Sequence, residues 1–300
     1  MQAETSQALP PAKGSYTLSV ATSFGFLWGQ SEEIVYKALY KDDYTSQLLW
    51  DMKPLLYVGA SLDFSLPMKH LAFFVGFSSK FGIPAQTGIM EDRDWQSSSP
   101  ELTDFSSHDN NTHSAVLLDG SLGLSIPLGS KLLLKVAYAG LSYMYFSWTA
   151  QDGFGRYADS NWVEKPYSGP VIDYIQSWLI FSPGISLYAP LVIGKKILSL
   201  EASFRIGPVV FCNDQDDHLT TKTRYNDYMS GGLFLEPRLE FAFSPCRWLS
   251  ISLHGAYRSI SGVRGATYRT FSGASSKFTT PDAGVGYAVW DTGLSLTIRF

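Results

Sequence analysis

Apolar and polar residues alternate with a period of two along the first ordered stretch of this chain. From Tyr16 to Trp28 the even positions Leu18, Val20, Phe24, Phe26 and Trp28 are large and apolar, while Thr17, Ser19, Ala21, Ser23 and Gly25 between them are small or polar. Successive side chains of an extended backbone point to opposite faces, so this pattern predicts a strand with one apolar and one polar face. Another stretch behaves alike: His70, Ala72, Phe74, Gly76, Ser78 and Lys80 alternate with Leu71, Phe73, Val75, Phe77, Phe81 and Ile83. No uninterrupted apolar run approaches the roughly 18 to 20 residues that a membrane helix needs.

Turn signals set the length of the strands. Short connections are predicted at Ser65-Leu66-Pro67, Pro127 to Ser130, Pro190 to Gly194 and Ser244-Pro245-Cys246. Longer polar segments lie midway between them, at about 37–44, 91–112, 152–168, 214–226 and 263–279. Four turns and five loops separate ten strands of about 18 to 20 residues, longer than the roughly 9 to 11 that cross a bilayer. The predicted fold is all-β: a ten-stranded antiparallel transmembrane β-barrel that rises above the outer membrane, with five long extracellular loops and four short periplasmic turns. Closure satisfies every backbone group internally, which hydrocarbon demands, so a core of the soluble kind is not required. Residues 1–14 read as a flexible N-terminal segment of a mature chain and 15–300 as a single barrel domain, since no linker or low-complexity tract divides them. The opening Met1-Gln2-Ala3-Glu4 has no basic head followed by an apolar stretch, so no export signal is visible and a processed chain is expected.

Composition sharpens this picture. Aromatic residues make up 15% of the chain, and those at Phe24 to Trp28, Tyr143 to Trp148 and Tyr287 to Trp290 are placed to form interfacial girdles. The last strand alternates Leu294, Leu296 and Ile298 with Ser295, Thr297 and Arg299 and ends on Phe300, which resembles the C-terminal assembly signal of bacterial outer-membrane barrels. Net charge is only -4 and the pI near 5.7, so a nucleic-acid partner has no electrostatic support. Lipid of the outer membrane is the expected surroundings, and no oligomer is required. Cys212 and Cys246 are predicted a barrel height apart and hence unpaired. A ten-stranded lumen is narrow enough for side chains to fill it, and Glu201, Arg205, Arg238, Glu240 and Arg299 are candidates to do so as ion pairs.

Two acidic clusters fall at the loop end. Asp92 and Asp94 are two residues apart, so on an extended strand both carboxylates face one way, and the parity of the third strand points them into the barrel mouth. Glu33 shares the inward, odd parity of the first strand. In Asp214-Gln215-Asp216-Asp217-His218, the residues Asp214, Asp216 and His218 share a face. The alternation of Leu198, Leu200, Phe204 and Ile206 would aim that face outward, and a one-residue irregularity near Gly207-Pro208 would bring it inward. Taken singly, an Asp-x-Asp in a loop is solvated charge, and Asp214 to His218 also suits a weak divalent-metal site.

Several blocks in order resemble the omptin family of outer-membrane proteases: Gly29 to Tyr36, Ser46 to Trp50, Met90 to Trp95, Thr103-Asp104 to His108, and Asp214 to His218. The resemblance implies an aspartic-type endopeptidase in which Asp92 and Asp94 form the carboxylate pair, Asp216 and His218 the Asp-His dyad, and Glu33 and Asp214 the substrate-binding pocket for a basic Arg or Lys side chain. A water between Asp92 and His218 would attack the peptide carbonyl, and peptides or proteins with basic residues would be the substrates. Asp217 takes no part. No metal is expected. Lipopolysaccharide dependence is a family trait, but the aligned outer-wall positions Leu141, Tyr143, Tyr145 and Ser177 carry no basic residue, so this requirement is not expected here. Only about ten residues separate His218 from the next apolar strand near Met229, which makes the fourth loop short. The competing readings are a non-enzymatic barrel, adhesin or narrow pore, and an omptin-like protein that has lost its activity.

Overall fold

Strict alternation over long stretches gives long strands, and ten of them close on themselves. The computed structural model describes residues 16–37, 44–96, 101–129, 132–193, 196–271, 274–277 and 282–300; the expected N-terminal segment 1–14 lies outside the described residues. In chain order the barrel strands are Thr17–Tyr36, Tyr44–Pro67, Ala72–Gly82 continued by Ala85–Asp94, Asp104–Leu128, Leu132–Tyr157, Pro170–Phe181 continued by Gly184–Ile193, Lys196–Gly207 continued by Val209–His218, Thr223–Cys246, Leu249–Phe271 and Ala283–Arg299. All neighbours are antiparallel, and the first strand pairs with both the second and the tenth: Gly25 stands beside Tyr57 on one side and Gly293 on the other. The Tyr57 ring crosses the lumen wall there, and a Cβ on Gly25 would sit 2.5 Å from its hydroxyl, so only glycine fits.

The outward face carries an apolar belt toward the turn end. Val20, Phe24, Phe26, Leu56, Val58, Leu62, Phe77, Phe81, Leu200, Phe204, Phe241, Leu253, Leu294 and Leu296 are all exposed, as lipid-facing side chains of a barrel must be. Trp28 and Trp290 face one another in register at its loop-side rim, with Tyr257 at 4.9 Å from Trp290. At the opposite rim Phe300 exchanges backbone hydrogen bonds with Leu18, which ties the terminus to the first strand.

The strands are longer than predicted, reaching 25 and 26 residues in the fourth and fifth. Most of the polar segments expected as loops at 91–112, 152–168, 214–226 and 263–279 are strand, and the connection after His218 is the four-residue turn Leu219–Lys222. Polar sequence marks where a strand leaves lipid, where both faces turn polar, and backbone pairing continues above that level. The turns also fall slightly later than predicted: Pro67, Pro190 and Cys246 are still in strands. Cys212 is buried, Cys246 is half-buried, and both are free thiols.

Inside, the barrel is layered. Near the turn end is a cavity of about 680 Å³, lined among others by Ser61, Ser199, Ser252 and Arg299. A network of ion pairs forms part of its wall: Arg258 and Arg205 each reach Asp119 at 2.9 Å, both contact Glu236, and Lys80 pairs with Asp291. Glu201 accepts from Lys135 at 3.0 Å and Arg238 donates to Glu240 at 2.8 Å, so Glu201, Arg205, Arg238 and Glu240 are paired as predicted, and all of them line the cavity together with Arg299. Higher still comes an aromatic stack, with Trp50 on Tyr174 at 4.9 Å, Phe146 on Trp148 at 5.1 Å, and Trp148 on Tyr174 at 5.7 Å. Two expectations are corrected here. Phe146, Trp148 and Tyr287 are not girdle residues, because their parity turns them inward, and the barrel does have an apolar core, because a ten-stranded lumen leaves room for side chains and little else.

Candidate active site

The site sits on top of the aromatic stack, outside the lipid belt. Glu33 is where its odd parity predicted, buried on the inner face of the first strand. The third strand reaches the same result by a less direct route. Lys80 faces inward, the strand breaks at Ile83-Pro84, Thr87 becomes the inward residue, and a bulge between Gln86 and Ile89 restores even parity at Met90. Gly88 takes φ +122 in that bulge, a conformation glycine alone adopts readily. The two irregularities cancel, so Asp92 and Asp94 share the inward parity of Met90.

On the seventh strand the parity does change at the predicted place. Odd residues face inward up to Gly207, the ladder is interrupted at Pro208, and from Val210 onward even residues face inward: Val210, Cys212, Asp214 and Asp216 are buried. Pro208 has no N–H to give a ladder, so the interruption follows from the residue itself. Asp217 points outward and accepts from Arg224 at 2.8 Å, away from the other acids.

Asp216 and His218 form a direct pair, with His218 Nε2 at 2.7 Å from Asp216 Oδ2. The imidazole edge rests on Tyr225, ring centroids 5.4 Å apart. Burial works against the His218 cation, but Asp216, helped by Asp92 and Asp94, outweighs it and lifts the pKa to about 9. Asp92 and Asp94 stand on the third strand, four strands from the seventh in a ring of ten, yet their charge and that of His218 act on one another. Burial raises Asp92 well above the usual carboxylate range, Asp94 beside it adds to the rise, and His218 opposes it. Asp94 is raised less, since the Ser46 side chain donates to it from the second strand. Such a set titrates as a unit, sharing protons among its members. Oδ1 of Asp92 and Oδ1 of Asp216 are buried without a hydrogen-bond partner.

Glu33 and Asp214 are brought together as well. Burial raises both, and Asp214, Asp216 and Asp227 raise Glu33 further. Asp214 is oriented from below: Tyr174 Oη donates to its Oδ2 at 2.9 Å, Gln176 Nε2 donates to Tyr174 at 3.0 Å, and Ser31 on the first strand donates to Gln176 Oε1 at 2.6 Å. This chain of hydrogen bonds crosses the lumen and forms the floor of the site. Of the ion pairs among the described residues, none includes Glu33, Asp92, Asp94 or Asp214. Asp119, Glu201, Glu236, Glu240 and Asp291 of the lower lumen have Arg or Lys partners and these do not.

Sequence reasoning missed Tyr174, Gln176, Ser31 and Asp227. Asp227 had a usable signal: with the turn at Leu219–Lys222 the ladder pairs His218 with Thr223, and counting back places Asp227 opposite Asp214. The block from Thr103 to His108 supplies neighbours, since Asp104 faces Asp94 and Ser106 faces Asp92 in register. His108 is buried, 2.9 Å from Ser106 Oγ, and burial holds its pKa below the usual value. Among the described residues no group of three or more His, Cys, Asp or Glu side chains is disposed to hold a metal ion.

Comparison with known proteins gives the family and the fold. The model of the Omptin family matches residues 14–300, nearly the whole chain. The chain belongs to the omptin family of outer-membrane proteases. It is 28% identical over 240 residues to the plasminogen activator of Yersinia pestis, covering 77% of this chain and 72% of that protein. Its fold is similar to the crystal structure of the outer membrane protease OmpT from Escherichia coli, with a TM-score of 0.80 and 19% identity over 95% of this chain and 97% of that one. This omptin is therefore an outer-membrane β-barrel.

Proposed function

We propose that this omptin is an endopeptidase that cleaves beside basic residues by direct attack of water, with no acyl-enzyme. The observation that carries the reading is the imbalance of charge in the upper lumen: carboxylates on several strands converge around one imidazole, and among the described residues no Lys or Arg is in an ion pair with Glu33, Asp92, Asp94 or Asp214. Buried like charges are costly unless a cation joins them. An Arg or Lys side chain of a substrate would supply it, held by Glu33 and Asp214, and each charge-assisted contact is worth about 1.5 to 3 kcal/mol.

The same imbalance bears on the chemistry. With Nε2 on Asp216, the Nδ1 of a neutral His218 is the acceptor for a proton from water, and Asp216 stabilises the imidazolium that forms. Asp92 on the facing wall would hold the other side of that water, and Asp94 would share a proton with it. The substrate's cation, entering the pocket, also lowers the pKa of His218, which favours the neutral imidazole when substrate is bound. The aromatic stack below closes the lumen, so water reaches the site from the loop end. With short turns at one end and the site at the other, we place the site on the extracellular side, where peptides and proteins are the available substrates. The outer wall at Leu141, Tyr143, Tyr145 and Ser177 offers apolar and aromatic groups, and we expect no dependence on lipopolysaccharide.

Cleavage in ¹⁸O-water in the presence of hydroxylamine tests the route. The label should enter the new carboxyl group with no hydroxamate formed; a hydroxamate or a trapped covalent adduct would refute direct attack.

A further inference from the structure

The pocket proposed for a basic side chain contains a third carboxylate, on a strand that the acidic motifs do not reach. Asp227 is directly opposite Asp214 in the ladder between the seventh and eighth strands. Opposed inward residues of neighbouring strands have Cβ atoms about 4.5 to 5.5 Å apart, so the two carboxyl groups stand side by side on one wall. Glu33 approaches from the first strand, and its protonation responds to Asp214 and Asp227 alike. Asp227 is 2% exposed and Glu33 3%.

Two oxygens mark the space between them. Glu33 Oε2 and Asp227 Oδ1 are buried, and neither has a hydrogen-bond partner. Oδ2 of Asp214, in contrast, is already held by Tyr174. Acceptors thus remain open on two different walls, with no Lys or Arg of the described residues in an ion pair with either acid. A ligand that satisfies both must carry donors on more than one edge. The guanidinium group has five N–H donors in a rigid plane and can face separate carboxylates at once, whereas an ammonium is a compact charge with three.

We propose that Asp227 is a specificity-determining residue which, with Glu33 and Asp214, selects the guanidinium of arginine over the ammonium of lysine. This rests on the reading that the pocket takes a basic side chain. Asp227 acts on binding and has no part in activating water, which Asp92, Asp216 and His218 surround.

The test uses the full chain refolded in detergent, as the parent and as Asp227→Asn, Asp227→Ser and Asp227→Glu, with two peptides that differ only in Arg or Lys before the scissile bond. Binding of argininamide and lysinamide is measured on the same samples. In Asp227→Asn and Asp227→Ser, KM for the Arg peptide should rise about 10-fold or more, the loss expected for one charge-assisted contact, with kcat nearly unchanged. The Lys peptide should change less, so the Arg preference collapses, and Asp227→Glu should keep part of it. An unchanged Arg-to-Lys ratio in the neutral variants, or a fall in kcat at constant KM, would overturn the assignment. If the parent cleaves neither peptide, the hydrolytic reading fails by itself, and argininamide decides about Asp227: weaker binding in the neutral variants supports it, and equal or absent binding by the parent refutes it.

Discussion

His218 Nε2 lies 2.7 Å from Asp216 Oδ2, and in the proposed reaction this pair must first release a proton. With its pKa raised to about 9, the imidazole is cationic at neutral pH in the free protein and accepts no proton from water. The rate must therefore climb as pH rises. We expect kcat/KM, which reports the free enzyme, to increase with a limb near 9, and kcat to show a lower limb because the bound cation disfavours imidazolium. Asp216→Asn removes the largest influence raising this pKa, so its limb should move down toward the ordinary 6.5 while the rate falls about 10²- to 10⁴-fold. A pH–rate series on both proteins checks this, and an unshifted limb would count against the pair.

The acidic pocket should weaken the barrel at the pH where it works. Burial lifts Asp227 to about 6 from an ordinary 3.8, and Asp216 and Asp282 add to the rise. A group whose folded pKa is raised stabilises the fold fully below its unfolded value, and that contribution is lost as pH rises through the folded one. The window here runs from about 4 to above 6. At pH 8 Asp227→Asn should therefore unfold at a higher temperature than the parent, by an amount corresponding to at most about 3 kcal/mol, and at pH 4 the difference should vanish. Thermal melts followed by circular dichroism at the two pH values measure it.

Charge in the lower lumen behaves oppositely, since there it is balanced. Arg258 contacts Asp119 and Glu236, so Arg258→Met would leave two buried carboxylates with Arg205 as their shared cation. Loss of one partner from such a buried set costs about 3 to 5 kcal/mol. The variant should unfold at clearly lower denaturant or temperature, with cleavage kinetics of the folded fraction unchanged. A melt equal to that of the parent would contradict the network's role.

The fold was readable in the chain because a barrel wall writes its two environments on alternate residues. Leu18 to Trp28 announced lipid on one face, and Leu294, Leu296 and Ile298 did the same for the tenth strand. Strand ends were not readable, because strands such as Asp104–Leu128 continue into water, where polar residues suit either strand or loop. Aromatics were misplaced for a related reason: Trp148 and Tyr287 belong to the lumen by parity, while composition alone suggests an interface. At the site, the facing of Glu33 and the change of parity at Pro208 followed from counting, whereas Asp92 was reached only because the shifts at Pro84 and Gly88 cancel. Asp227 escaped because its neighbourhood with Asp214 depends on where the turn lies, and polar residues on both sides of Leu219–Lys222 hid that turn.

The central claim is that Asp92 and His218 together activate water beside a basic residue. Its most direct test is cleavage of a fluorogenic peptide with Arg before the scissile bond by the refolded protein, with and without lipopolysaccharide, beside Asp92→Ala and His218→Ala. The parent should cleave under both lipid conditions, and each variant should lose about 10²-fold or more in kcat while remaining folded. No cleavage by the parent under either condition, or cleavage by the variants at the parental rate, would contradict the account.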